Sequence, residues 1–182
     1  MSNENDNEKI IDDTDTRRGH PAGIAKFISP RMNRRFFIRV AIVALLATLF
    51  FGLVCVPSYI KGESMEPTYN RVGVNFCWRP TYWFSSPKRG DIAVIRYTGR
   101  KLYLKRVVGL PGDTVEFRNG KLLINGKMAN EPYVKNSCDW YLPERVVRKG
   151  TIYVVGDNRS MPMQHHKFGA VNLKRLYGAP LW

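Results

Sequence analysis

Val40–Ile60, VAIVALLATLFFGLVCVPSYI, runs for 21 residues without a charged side chain. At about 1.5 Å of rise per helical residue, roughly 20 apolar residues cross a hydrocarbon core of about 30 Å. Arg31, Arg34, Arg35 and Arg39 precede the run, and Lys61 alone follows it closely. Basic residues collect on the cytoplasmic side of a span, so this asymmetry puts the N-terminus in the cytoplasm and the bulk of the chain outside. Two other readings compete. A buried core helix accounts for the apolarity but not for the length and the arginine flank. A cleavable signal peptide has a shorter apolar core and no long polar tail before it. The run therefore reads as an uncleaved, single-pass anchor over residues 36–60 in the inner (cytoplasmic) membrane. Pro57 suits its outer end, because proline cannot continue the helical hydrogen-bond ladder.

Residues 1–35 read as a cytoplasmic tail, largely disordered. Glu4, Asp6, Glu8, Asp12, Asp13 and Asp15 face Lys9 alone, apolar residues are few, and Gly19, Pro21 and Gly23 interrupt the segment before the anchor. Ile24–Ile28 is a candidate short interfacial helix.

The 182-residue chain carries 29 Lys and Arg against 15 Asp and Glu, a net charge of +14. Much of the excess lies after Ile60. A nucleic-acid binder would show a recognisable module or a basic stripe interleaved with aromatics. Neither is found, and no nucleic-acid partner is expected. A solvated basic surface and attraction to an anionic lipid membrane surface both remain open.

Outward from the anchor, residues 61–182 change to short β-branched runs separated by turn residues. Val72–Trp78, Asp91–Tyr97, Lys101–Val108, Thr114–Phe117, Leu122–Ile124 and Thr151–Val155 read as strands. Asn119-Gly120 is a hairpin signal, because both turn positions tolerate positive φ, and Asn125-Gly126 supplies a second turn. No sustained helical period occurs after residue 61. The expected architecture is one transmembrane helix followed by an extracytoplasmic, mostly β antiparallel domain.

Among the three cysteines, Cys55 lies in the apolar run as a small hydrophobe. Cys77 and Cys138 fall on the side where an oxidising compartment permits disulfides, and a Cys77–Cys138 bridge is a candidate pairing. Metal-ligand spacings are absent: His165-His166 has no third ligand on its side of the membrane and reads as an exposed loop. Neither a metal nor another cofactor is expected.

The chemistry centres on Gly62-Glu63-Ser64-Met65-Glu66-Pro67-Thr68. A serine is a weak nucleophile until a base is found for it. Only His165 and His166 could complete a Ser-His-Asp set outside the membrane. Lys105, in the β-forming run Leu102–Val108, is the other candidate. Burial among apolar neighbours disfavours the charged amine and would let it take a serine proton near neutral pH. With 29 basic residues in the chain, physics alone does not choose Lys105 over a surface lysine.

Four motifs, in order behind the anchor, resemble those of bacterial type I signal peptidases, membrane-bound Ser-Lys endopeptidases, over roughly residues 36–182. Gly62–Thr68 resembles the nucleophile motif, with Pro67 in it. Arg89-Gly90-Asp91-Ile92 resembles the second. Lys105-Arg106-Val107-Val108-Gly109-Leu110-Pro111-Gly112-Asp113 resembles the motif carrying the base. Val155-Gly156-Asp157-Asn158-Arg159-Ser160 resembles the last. The resemblance implies Ser64 as nucleophile, Lys105 as general base, the Ser64 backbone N–H in the oxyanion hole and Met65 in the site floor. Gly62 stands where some members have a helping serine, so backbone groups carry more of that task. The remaining motif residues are implied as structural support. The partners implied are precursor proteins with signal peptides, bound as an added strand.

The run after Arg159 departs from the family pattern. Pro162 stands where a lysine-orienting serine is common, and Gln164 and His166 stand at a usual Asp and Arg. Ser160 is the expected substitute for the missing hydroxyl. The compact domain and the Ala179-Pro180-Leu181-Trp182 ending resemble peptidases of conjugative transfer, which process pilin-type precursors. The competing functions are a catalytically inert, membrane-anchored binding protein on the same scaffold and a self-cleaving Ser-Lys repressor protease. The second is normally soluble and carries a DNA-binding segment, unlike this chain.

Overall fold

The computed structural model describes residues 32–97, 99, 101–136 and 138–181. The expectations for the acidic tail, the Ile24–Ile28 helix and His20 lie outside these residues. The described residues fall into two units that divide between Val43 and Ala44.

Helix α1, Arg34–Leu49, opens where Asn33 accepts the Phe36 N–H at 2.9 Å with its side-chain oxygen, a standard N-cap arrangement. None of its side chains is buried by protein. From Val40 onward the helix carries no charged side chain, and an apolar surface on every side suits a lipid surrounding. A five-residue π-helical turn, Phe50–Val54, prolongs it, and Arg34–Val54 is long and apolar enough to cross a membrane.

The expected anchor of residues 36–60 is corrected at its outer end. Cys55–Lys61 is strand β1, paired along its length with β2, Val72–Trp78. An apolar run cannot by itself separate helix from buried strand. Here the run becomes a β ladder from Cys55 onward, where it pairs with Trp78 of β2. Pro57 sits in that strand rather than at a helix terminus, and β1 is the edge of its sheet, where a missing N–H is tolerated.

The other strands are β3 (Ile92–Arg96), β4 (Leu102–Gly109), β5 (Thr114–Arg118), β6 (Lys121–Ile124), β7 (Lys127–Met128), β8 (Leu142–Val146), β9 (Thr151–Val155), β10 (Gly169–Asn172) and β11 (Leu176–Pro180). They form a seven-stranded sheet ordered β1-β2-β11-β3-β4-β9-β10 and a four-stranded sheet ordered β7-β6-β5-β8. Every pairing is antiparallel. The mostly β, antiparallel expectation therefore holds.

Asn119 (φ 48°) and Gly120 (φ 72°) close the β5–β6 hairpin, as their positive φ requires. Val115, Phe117, Leu122, Trp140 and Val155 pack into a core beneath the small sheet. Ala93, Ile95, Val107, Ile152 and Val154 form a second cluster on the large sheet. β4 contributes to both, through Val108 and Val107. That pins Lys105, three residues earlier than Val108, on a rigid element.

The cysteines correct another expectation. Cys55, Cys77 and Cys138 are all free. Cys77 is buried in β2 of the large sheet, whereas Cys138 donates to the Gly120 carbonyl beside the small one. A Cys77–Cys138 bridge does not form in this fold.

Candidate active site

Ser64 lies in the turn between β1 and β2. The turn is closed by Gly62 N–H to the Arg71 carbonyl (2.9 Å), Glu66 N–H to Glu63 (3.0 Å) and Tyr69 N–H to Met65 (2.9 Å). Gly62 has φ 141°, a conformation that penalises any side chain. Met65 is buried at 3% exposure beneath it. The Glu66–Pro67 peptide is cis.

Lys105 comes from the middle of β4 and is 2% exposed. Its Nζ is 2.5 Å from Ser64 Oγ. Burial pushes its pKa down to about 8, against the opposing pull of the nearby Asp157 carboxylate. A large fraction of such an amine is neutral in mildly alkaline solution and can accept a hydroxyl proton. The two residues left unpaired by composition alone are brought together by strand geometry.

The loop after β9 holds the Ser64 turn from the other side. Asn158 donates its backbone N–H to the Ser64 carbonyl and its side-chain amide to the Glu63 carbonyl, both at 3.1 Å. Gly156 permits this approach: a Cβ there would collide with the Ser64 carbonyl and the His166 ring. Asp157, 1% exposed, accepts Thr68 Oγ1 at 2.6 Å and takes a two-pronged contact from Arg106 at 2.8 and 2.6 Å. Arg106 also donates to the Gly90 carbonyl at 2.7 Å and lies 3.8 Å from the Tyr133 ring centroid.

The remaining motif residues bond or pack within the fold around the site. Gly90 N–H and the Asp91 carbonyl bond Val107, tying the second motif to β4. Gly109 ends β4 against Val115, Tyr153 and Val147. Gly112 lies in the β4–β5 turn and bonds Val147, while Asp113 accepts from Arg89, Leu110 and Asn125. The Leu110 N–H and the Arg89 guanidinium hold its carboxyl below the usual range, outweighing the effect of burial.

Arg159 is 1% exposed, bonds the Gly156 carbonyl and makes a two-pronged pair with Glu131 at 3.0 and 2.6 Å. Tyr133 donates to the same Glu131 at 2.7 Å. Neither Glu131 nor Tyr133 carries a sequence signal, since both lie in an irregular segment distant from every motif.

Two expectations for this loop are corrected. Ser160 is exposed, and its hydroxyl donates to Asn158 Oδ1 at 2.6 Å rather than to Lys105. Pro162, which has no hydroxyl to offer Lys105, opens a 3₁₀ turn, Met163–His165. His166 is not in an exposed loop but 6% exposed, with its ring edge-on to Trp140 at 4.7 Å. Its Nε2 is 2.5 Å from the Asn158 carbonyl oxygen. Burial lowers its pKa to about 4, so the ring is neutral at neutral pH. Facing a carbonyl, Nε2 must carry the proton. Sequence spacing could not have found this, because only the 3₁₀ turn buries one of two adjacent histidines.

A cleft of about 570 Å³ opens over Ser64 and Met65, walled by residues 57–62 of the β1 side and 101–104 at the start of β4. Val94 of β3 completes the lining, so the cleft lies between the edge strand β1 and the β3–β4 pair.

The profile of a family described as "Signal peptidase, peptidase S26" matches residues 33–181. Signal peptidase IB of Staphylococcus aureus is 30% identical over 164 residues, covering 79% of this chain and 84% of that protein. Signal peptidase I V of Bacillus subtilis (strain 168) is 29% identical over 162 residues, covering 81% and 96%. Among solved structures, a crystal structure of a signal peptidase I from Enterococcus faecalis V583 aligns with TM-score 0.43 and 28% identity, over 52% of this chain and 97% of that one. The profile match spans most of the chain and carries all four motifs, and the protein belongs to the signal peptidase family, peptidase S26.

Proposed function

We propose that this protein is a membrane-bound serine endopeptidase that removes signal peptides from translocated precursors, with Ser64 as nucleophile and Lys105 as general base. The observation that carries the reading is the buried Lys105 amine, lowered to about 8 and 2.5 Å from Ser64 Oγ. The neutral amine takes the hydroxyl proton as Oγ attacks the scissile carbonyl, forming a tetrahedral oxyanion. The Ser64 N–H stabilises that charge, with Gly62 leaving the task to backbone groups. Collapse breaks the C–N bond, and the Lys105 ammonium returns its proton to the leaving amine. Water, deprotonated by Lys105, then hydrolyses the acyl-enzyme and frees Ser64.

The precursor enters as an extended segment in the cleft beside β1, whose outer edge offers unpaired backbone groups. The span Arg34–Val54 holds the site beside the inner membrane with the N-terminus in the cytoplasm, as the arginines before it suggest. A pilin-type precursor of conjugative transfer is the narrower substrate, supported by the resemblance of the Ala179–Trp182 ending.

The test incubates full-length protein in detergent with a general secretory precursor and with a pilin-type precursor, then sequences the new N-termini. Cleavage at a signal-peptide junction, abolished by Ser64→Ala, is the expected result. Preference for the pilin precursor supports the narrower substrate. No cleavage of either precursor by the parent protein overturns the reading in favour of an inert binding protein.

A further inference from the structure

Arg79, Arg96, Lys174 and Arg175 converge on a pocket of about 320 Å³ that also holds Trp83 and Tyr177 and has no acidic residue in its wall. Arg79 and Arg96 lie over the same Tyr177 ring, 4.8 and 4.6 Å from its centroid. Among the described residues, the ion pairs of this protein use other basic side chains. The Arg79 Nε–H is buried with no hydrogen-bond partner among the described residues. Four like charges gathered without a counter-charge repel one another, and a buried guanidinium donor with nothing to bond is costly. Both deficits are removed by one kind of ligand, an anion with several acceptor oxygens.

The position says where the anion comes from. Arg79 Nη1 donates to the Leu53 carbonyl at 2.9 Å, and Leu53 lies in the last turn of the apolar span. Trp78, just before Arg79, lies against Phe50 of that turn with ring centroids 6.3 Å apart. Trp83, which lines the pocket, is exposed, and Phe84, with its ring centroid 6.4 Å from that of Trp83, is 91% exposed. Exposed aromatics next to arginines, at the point where an apolar span ends, match the headgroup zone of a bilayer.

We propose that this pocket binds the phosphate of an anionic membrane lipid, with the four cations around the headgroup and Trp83 and Phe84 against the acyl region. Arginine forks suit phosphate oxygens, and Arg79 presents its free Nε–H among them. The lipid then clamps the catalytic domain at a fixed height beside the end of its span. The inference rests on the proposed membrane span and not on the Ser64–Lys105 chemistry.

The test uses the full chain carrying Ser64→Ala in a neutral detergent, so that cleavage plays no part. Tryptophan fluorescence follows titrations with dihexanoyl-phosphatidylglycerol, dihexanoyl-phosphatidylcholine and inorganic phosphate. Saturable binding of the anionic lipid is expected. The combined substitution Arg96→Gln, Lys174→Gln and Arg175→Gln should weaken it roughly tenfold or more. A control, Arg145→Gln with Arg148→Gln and Lys149→Gln, removes equal charge near β8 and should leave it unchanged. Thermal melts check that the variants fold. If the triple variant does not fold, Arg96→Gln and Arg175→Gln singly must each weaken binding. Equal loss in the control, equal response to the neutral lipid, absence of saturation, or equally tight binding of inorganic phosphate would each overturn the proposal.

Discussion

His166 Nε2 meets the Asn158 carbonyl oxygen at 2.5 Å, and Asn158 in turn bonds the Glu63 and Ser64 carbonyls. The Ser64 turn is thus braced by a neutral imidazole rather than by an ion pair at that place. The charged groups facing the ring are Lys105 and Arg159, and both disfavour its protonation, as does burial. With a folded pKa of about 4 against an ordinary 6.5, protons bind more readily to the unfolded chain in that window. The contribution is present above pH 6.5 and is lost as pH falls toward 4. His166→Phe keeps a ring against Trp140 but cannot titrate. Its melting temperature, compared with the parent from pH 4 to 7, should fall less steeply on acidification. Parallel curves would show that His166 is not buried neutral.

Lys105 makes the opposite end of the pH range informative. The proposed mechanism needs the neutral amine, so kcat/KM should rise with pH and level off above an apparent pKa of about 8. Below it, the rate should fall about tenfold per pH unit. A rate already flat between pH 6 and 9 would remove Lys105 as the titrating base. The same burial has a cost in stability: between about 8 and the ordinary 10.5 the unfolded chain holds the extra proton. Stability from this group therefore rises with pH across that window and is lowest below it. Lys105→Met should abolish cleavage while raising stability at pH 7 by about 1–3 kcal/mol, measured by denaturant unfolding.

The strand runs Val72–Trp78 and Thr151–Val155, and the Asn119-Gly120 hairpin, were legible because alternation and turn chemistry act locally. Strand β1 was not: Cys55–Ile60 continues an apolar run without a break, and only its pairing with β2 ends the helix. Strand β11 carries Gly178 and Pro180, poor strand formers in isolation, yet it sits inside the large sheet between β2 and β3. In the site, motif order led to Ser64 and Lys105. The hydroxyl expected from Ser160 failed because side-chain reach depends on loop path: Asn158, two residues back, captures it. Glu131, His166 and Tyr133 were invisible because their partners lie across long sequence separations or a 3₁₀ turn.

Gly156 tests how tightly the bracing acts on catalysis. A methyl group there meets the Ser64 carbonyl, which is backbone and cannot swing aside, as well as the His166 ring. Gly156→Ala must therefore displace Ser64 relative to Lys105. A shift of about 1 Å in such a pair costs on the order of a hundredfold in rate. The loss should appear in kcat, with KM changed little, because the cleft walls at residues 57–62 and 101–104 lie apart from the substitution. A variant with parental kcat would show that the turn absorbs the methyl without moving Ser64.

Glu131 is the counter-charge of Arg159, whose guanidinium is 1% exposed and also packs 5.3 Å from the Phe117 ring centroid. Removing one partner of a buried pair leaves an uncompensated charge, at a cost of about 3–5 kcal/mol. Glu131→Gln should therefore destabilise the fold by about that amount in urea unfolding, although the side chain keeps its shape and one acceptor oxygen. Replacing both partners, Glu131→Gln with Arg159→Met, should recover part of the loss, since the methionine leaves no charge to satisfy beside Phe117 and Trp140. Additive losses in the double variant would mean that Arg159 is held by the Gly156 carbonyl and the two rings, and that Glu131 contributes independently of it.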